Sequence, residues 1–318
     1  MRIAITGADG FIGRHTVTAA RGAGHDVRPL VRRLDAASDS AAREVGDVGP
    51  DTDWATALVG CEAVVHLAAA VHESGPDAPQ RRMRMRSVNV DGTVRLAREA
   101  ARGGVTRFVY VSSIKVMGET SWRPFVESDV PHPVGDYASS KHDAERALQE
   151  VAWSTPLQYT VVRPPLVYGP GVGANFRALL ALCDSPWPLP LAGASAPRSL
   201  LYVGNLADAL LSAAIHPAAA NDTFFVTDDS DLTVADLVAR LRAKLDRPRR
   251  TFAVPRSMVR GIARLAGRES SYARLFEPLQ ANPSHLRSRL GWTAPFTVDE
   301  GLEMTTRWFR GLRSPSNT

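Results

Sequence analysis

The chain opens with a short apolar run, RIAIT (2–6), that leads without a break into TGADGFIG (6–13), and this junction restricts the fold more than any other stretch. Gly7, Gly10 and Gly13 are spaced GxxGxxG, and RHTVTAARGAG after them reads as a helix closed by glycine. A strand that turns into a helix through three glycines gains a tight turn, a backbone open to close approach, and close packing of helix on sheet. The first amides of the helix have no intrahelical partner and make donors for a phosphate. The expectation is the first βα unit of a dinucleotide-binding domain, with Gly7, Gly10, Phe11, Ile12 and Gly13 forming the pyrophosphate loop.

Further along, apolar runs alternate with helical periodicity. HDVRPLVR (25–32), CEAVVHLAA (61–69), RFVYVSS (107–113) and QYTVVRPPLVYG (158–169) read as strands, whereas VNVDGTVRLAREAARGG (88–104) and YASSKHDAERALQEVAW (137–153) read as helices. Strands that are nearly continuous apolar runs, separated by helices, predict a parallel sheet covered on both faces, a Rossmann-type doubly wound α/β fold. After residue 169 the texture changes. Prolines cluster at 186–197, RSLLYVGNLADALLSAAI returns to strand then helix, and LTVADLVARLRAKL (232–245) and VPRSMVRGIARLAG (254–267) are amphipathic helices. The predicted organisation is a nucleotide-binding domain over 1–169, with a returning segment near 198–216, and a smaller mixed substrate lobe within 170–318.

Composition narrows the class. Hydrophobic residues make up 44% and charged residues 22% of 318, an ordinary balance for a globular protein with ample core. The net charge of +5 comes largely from arginine and is spread out, apart from 82–87 and 247–268. Both concentrations read as solvated faces, or as attraction for an anionic ligand. No basic stripe interleaved with aromatics points to nucleic acid. The two cysteines, Cys61 and Cys183, have no metal-ligand spacing and read as reduced thiols, so no metal site is expected. No apolar stretch approaches the ~18–20 residues of a membrane span, and Met1-Arg2 leads straight into the first strand, so a cytoplasmic protein is expected.

Two places carry chemistry. At the end of the second strand an acidic residue would bind the adenosine ribose, whereas an arginine accommodates a 2′-phosphate. Arg32 and Arg33 stand there, with Asp35 close by, which leans toward NADP(H) over NAD(H). GDV at 46–48 leaves Asp47 either a plain turn or, with Val48, an adenine contact. The second place is DYASSKHDAE (136–145), where Tyr137 and Lys141 lie one helical turn apart and share a face. An ammonium held near a phenol favours the phenolate, so Tyr137 is expected to have a lowered pKa and to exchange a proton near neutral pH.

Assembled in order, TGADGFIG, VVHLAA (64–69), NVDGT (89–93), VYVSSIKVMGE (109–119), YASSK (137–141) and RPPLVYGPG (163–171) span nearly the whole chain, which resembles the extended short-chain dehydrogenase/reductase family, in its nucleotide-sugar branch. The resemblance implies a Ser113, Tyr137, Lys141 catalytic set. Ser113 would bond the substrate carbonyl oxygen, Tyr137 would exchange its proton, and Lys141 would hold the nicotinamide ribose. Leu67, Ala68, Ala69 and Pro164 would line the cofactor. Asn89 reads as a helix-start polar residue near the site. Sugar 4,6-dehydratases of this family carry Asp-Glu after the catalytic hydroxyl, where this chain has Ile114 and Lys115. That implies hydride transfer at a single carbon, with no loss of water.

GVGANF (171–176) and APRSLLYV (196–203) resemble segments that meet the nucleotide diphosphate, making Asn175 and Arg198 candidate contacts alongside Ser113 and Lys115. Leu166 departs from the family pattern, since an asparagine commonly precedes VYGP. The likeness is greatest to bacterial reductases of UDP-4-keto-6-deoxy-N-acetylglucosamine in surface-polysaccharide synthesis, with UDP-sugar 4-epimerases as the alternative. Small-carbonyl reductases and a non-catalytic dinucleotide sensor stand behind these. The resemblance also implies a homodimer formed through the helices at 88–104 and 137–153.

Overall fold

The computed structural model describes residues 1–35, 39–71, 78–265 and 269–312. The first half runs β1 (Arg2–Thr6), α1 (Phe11–Gly22), β2 (Asp26–Val31), β3 (Arg43–Glu44), β4 (Ala63–His66), α2 (Ala78–Arg86), α3 (Gly92–Arg102), β5 (Arg107–Val111), α4 (Gly135–Trp153) and β6 (Gln158–Arg163). The remainder runs β7 (Leu166–Tyr168), α5 (Ala174–Cys183), β8 (Pro197–Arg198), β9 (Leu200–Tyr202), α6 (Val203–Ile215), β10 (Asp222–Phe225), β11 (Leu232–Thr233), α7 (Val234–Lys244), α8 (Arg256–Leu265), α9 (Glu269–Phe276), α10 (Ser284–Leu290) and α11 (Val298–Gly311).

Seven strands form one parallel sheet in the order β10-β6-β5-β4-β1-β2-β3. The doubly wound fold is the one expected. Because side chains alternate along a strand, Ile3, Ile5, Val65, Val109 and Val162 face one layer with Leu206 and Leu210 of α6. Ala4, Val64, Phe108, Tyr110 and Val161 face the other, with Leu96 of α3 and Leu148 of α4. That two-sided burial is why these strands read as unbroken apolar runs. A separate core joins Tyr168, Phe176, Leu180, Leu237 and Phe309.

The stretch 158–169, read as one strand, is two. Pro164 and Pro165 stop β6, and β7 pairs instead with β9 in a small parallel sheet. In the 88–104 stretch, helix α3 is preceded by a π-helical turn over Ser87–Asp91. Sequence order reverses between β1 and β4, and the crevice beyond their carboxyl ends is where ligands bind in sheets of this kind. Among the described residues no helix is long and apolar enough to cross a membrane, and Cys61 and Cys183 are buried and unpaired with each other.

Candidate active site

At the β1/α1 junction the glycines are required by space. Gly7 has φ +63° and a Cβ there would lie 3.0 Å from the Ala68 nitrogen. A Cβ at Gly13 would lie 2.1 Å from the Gly7 oxygen, so no side chain fits between helix and loop. Gly10 caps α1 in an extended conformation without a side-chain bond, and the first turn holds no acidic residue. Gly7 and Gly10 line a cleft of about 1220 Å3 shared with Arg32, Asp47, Val48, Leu67, Ala68 and Ala69. Small walls, uncapped amides and a first helical turn without a carboxylate suit a pyrophosphate, so these residues fit a dinucleotide, with Asp9, Asp47, Asp51 and Asp53 elsewhere on the cleft lining. Phe11 and Ile12 turn their side chains into the cores, Phe11 edge-on to His15 at 5.9 Å. Their contribution to the loop is backbone.

The arginine pair splits. Arg32 Nε lies 3.1 Å from Asp47 Oδ1 on the exposed rim of the cleft. Arg33 lines a neighbouring pocket of about 510 Å3 with Asp9, Arg14 and Asp35.

The cleft floor is held by a buried chain of bonds. Thr6 Oγ1 accepts from the Leu67 and Ala68 amides, both at 3.1 Å, and lies 2.7 Å from His66 Nδ1. The Thr93 hydroxyl donates to the Asn89 carbonyl at 2.7 Å, so its 3.1 Å contact with His66 Nε2 places the ring proton on Nε2. Burial, aided by the Lys141 charge, pushes the His66 pKa down to about 3, and the ring is neutral. In the π-turn, buried Asn89 accepts from the Ala70 amide at 2.8 Å and donates to the Ala70 carbonyl at 3.0 Å and to Ser140 Oγ at 2.9 Å. Ser140 donates to the Tyr137 carbonyl at 2.8 Å. Asn89 therefore ties the cleft floor to the helix that carries Tyr137, and a π-turn at such a place is common.

Tyr137 and Lys141 sit in the first two turns of α4. Lys141 is buried, donates from Nζ to the Val111 carbonyl at 2.8 Å, and stands 4.6 Å from the centre of the Tyr110 ring. The lowered phenol pKa expected from the Tyr137/Lys141 spacing is corrected here. Burial pushes Tyr137 up to about 12 and Lys141 down to about 7, the latter against the pull of Glu145. Both changes have one cause, since low-dielectric surroundings penalise phenolate and ammonium alike.

Ser113 follows β5 in an extended conformation, and its Oγ accepts from the Lys115 amide at 3.2 Å, capping the short 3-10 turn Ile114–Met117. Lys115 Nζ pairs with Glu119 at 2.8 Å. Lys115, Glu119, Arg81, Met85 and Tyr137 line one pocket of about 230 Å3. Buried Pro164 accepts from the Ile114 amide at 2.9 Å. Asn175 is exposed in the first turn of α5. Half-buried Arg198 donates to the carbonyls of Ala273 at 3.4 Å and Glu277 at 2.7 Å. Neither of these two lines the Tyr137 pocket.

Residues 3–226 match the model of the NAD dependent epimerase/dehydratase family. The chain belongs to that family. A Vibrio cholerae protein named UDP-glucose 4-epimerase is 36% identical over 311 residues, covering 96% of this chain and 95% of that one. Among solved structures, MoeE5 in complex with UDP-glucose and NAD is 27% identical with a TM-score of 0.78, covering 99% of this chain and all of that one. The Bacillus cereus UDP-N-acetylglucosamine 4-epimerase has a TM-score of 0.80 at 18% identity, covering 100% of this chain and 98% of that one, a likeness of fold.

Around this family's dinucleotide cleft, residue-by-residue reading overlooked three features. One is the Thr6-His66-Thr93 chain, whose members are far apart in sequence. Another is Glu119, the partner of Lys115. The third is a buried ion pair between Glu145 of α4 and Arg163 of β6, with Nε–Oε1 at 3.0 Å and Nη2–Oε2 at 2.6 Å. A signal for the last was present, since an arginine ending the apolar run QYTVVR demands a buried partner.

Proposed function

We propose that this protein moves a hydride at C4 of a UDP-linked hexose, with Ser113, Tyr137 and Lys141 as its catalytic set. The observation that carries this reading is Tyr137, one turn from buried Lys141, opening on a pocket that also holds Lys115, where a dehydratase would place a carboxylate. When bound, a nicotinamide dinucleotide supplies the hydride acceptor and donor. The chain's own residues do the rest. Tyr137 holds or takes the proton of the C4 oxygen. Ser113, whose oxygen already accepts from the Lys115 amide, gives its proton toward the same oxygen. Lys141 would hold the nicotinamide ribose. Asn175 and Arg198 are assigned to the diphosphate, where a guanidinium suits two acceptor oxygens.

Two directions of this chemistry use the same residues. A 4-epimerase returns the hydride to the sugar it came from, and the name of the 36% identical relative favours it. A net reductase of a UDP-4-keto-6-deoxy-N-acetylhexosamine draws hydride from a pool, and Arg32 with Arg33 favours it, because arginines at the end of β2 accept NADP(H). Assembly belongs to the same reading. Helices α3 and α4 lie side by side and leave a surface groove of about 400 Å3 with Val94, Ala101 and Ala147 on its walls beside Arg98, Arg102 and Glu150, where a second copy would dock.

The test supplies purified protein with UDP-N-acetylglucosamine or UDP-glucose, and separately with the 4-keto-6-deoxy sugar nucleotide and NADPH. Epimerisation is read by chromatography and reduction by absorbance at ~340 nm. One of the two activities is expected, and Tyr137→Phe should lower kcat by about 10²–10⁴-fold. Absence of both, or full turnover by Tyr137→Phe, rejects the reading.

A further inference from the structure

We infer that Glu145 and Arg163 are positioning residues that set the charge of Lys141 from behind the site, the carboxylate supporting its ammonium and the guanidinium restraining that support. Lys141 and Glu145 are one turn apart on α4, and both are buried. Glu145 is gripped by Arg163 through two bonds at 3.0 and 2.6 Å. Arg163 is itself fixed, with Nη1 against Met117 Sδ at 3.2 Å and its guanidinium 5.8 Å from the centre of the Phe225 ring.

The groups facing Lys141 come from every element around it: Tyr137 and Glu145 on α4, Tyr110 on β5, His66 on β4, and Arg163 on β6 behind Glu145. Burial keeps the Tyr110 and Tyr137 hydroxyls protonated and His66 neutral. Burial opposes the Glu145 charge too, yet the Arg163 guanidinium, bonded through Nε and Nη2, holds its carboxyl below the ordinary range. Among the described residues facing Lys141, the Glu145/Arg163 pair therefore supplies the charges at neutral pH. His142 Nδ1 stands 3.8 Å from Glu145 Oε2.

A pair that merely braced α4 against β6 would leave the Lys141 titration alone. A charge-setting pair moves it in opposite directions when either half is removed. Glu145→Gln takes away the supporting negative charge and leaves Arg163 as an unbalanced cation, so Lys141 loses its proton at lower pH. Arg163→Met leaves Glu145 unshared, so Lys141 keeps its proton to higher pH. The double variant falls between wild type and Glu145→Gln.

The chain has three lysines, Lys115, Lys141 and Lys244, so selective lysine labelling gives three side-chain NMR signals, and Lys141→Met identifies the one of interest. The expected order of Lys141 midpoints is Arg163→Met, wild type, double variant, Glu145→Gln, with about one pH unit or more between the extremes. A His142→Gln background removes the imidazole beside Glu145. Equal midpoints in all folded variants, or the reverse order, overturn the inference. If the single variants do not fold, the double variant, which leaves neither half of the Glu145/Arg163 pair buried without its partner, decides alone: its midpoint must lie below wild type, and an unchanged one overturns the inference. The functional meaning rests on the reading of Lys141 above. Because the NMR titration needs no turnover, a failure of that reading leaves this result standing by itself.

Discussion

Lys141 shows how much a buried ammonium costs. Its folded pKa, about 7, lies below the ordinary lysine value of 10.5, so between those limits the unfolded chain binds the proton and the folded chain does not. Stability then rises with pH across that window, and at pH 7 and below the penalty is present nearly in full. Lys141→Met should therefore stabilise the protein at pH 7 by about 1–3 kcal/mol, offset in part by the lost bond to Val111, while removing activity. Urea unfolding at pH 7 and pH 10 checks this, the gain shrinking at the higher pH. The pairing of Tyr137 with Lys141 was legible because helical spacing is local. The sign of the phenol shift was not, because it depends on how completely the folded chain buries the ring.

Between β1, β4 and α3 the Thr6-His66-Thr93 bonds make a buried polar seam through an otherwise apolar layer. His66 has a folded pKa of about 3 against an ordinary value of 6.5. Below pH 6.5 the unfolded chain takes up a proton that the folded chain refuses, so stability is complete above that pH and is lost progressively as pH falls toward 3. The loss amounts to roughly 5 kcal/mol at the lower limit. His66→Gln should lack this part of the acid sensitivity, and the difference between the two urea midpoint-versus-pH curves measures it. Strands buried on both faces were easy to see as apolar runs. The division of 158–169 into β6 and β7 turned on Pro164 and Pro165, whose effect emerges once β9 is there to pair with β7.

The sheet places its order reversal, the glycine cleft and the Tyr137 pocket at the same end, while the groove between α3 and α4 is lined by α3 and by the later turns of α4. If that groove receives a second copy, Ala147→Arg should convert a dimer of about twice the 34.4 kDa chain mass into a monomer without changing the far-ultraviolet circular dichroism. Light scattering after size exclusion distinguishes the two; a wild-type monomer would reject the assembly. Local pattern alone was enough for the glycine loop, the alternating strands and helices, and the one-turn spacing of Tyr137 and Lys141, since each depends on residues within a turn or two of one another, whereas Ser113 entered through resemblance to the family. Folding in three dimensions decided which groups carry charge, how Arg32 and Arg33 part company, and that Glu145 and Arg163 meet behind the site. Burial and pairing are properties of distant segments brought together, and no stretch of chain contains them on its own.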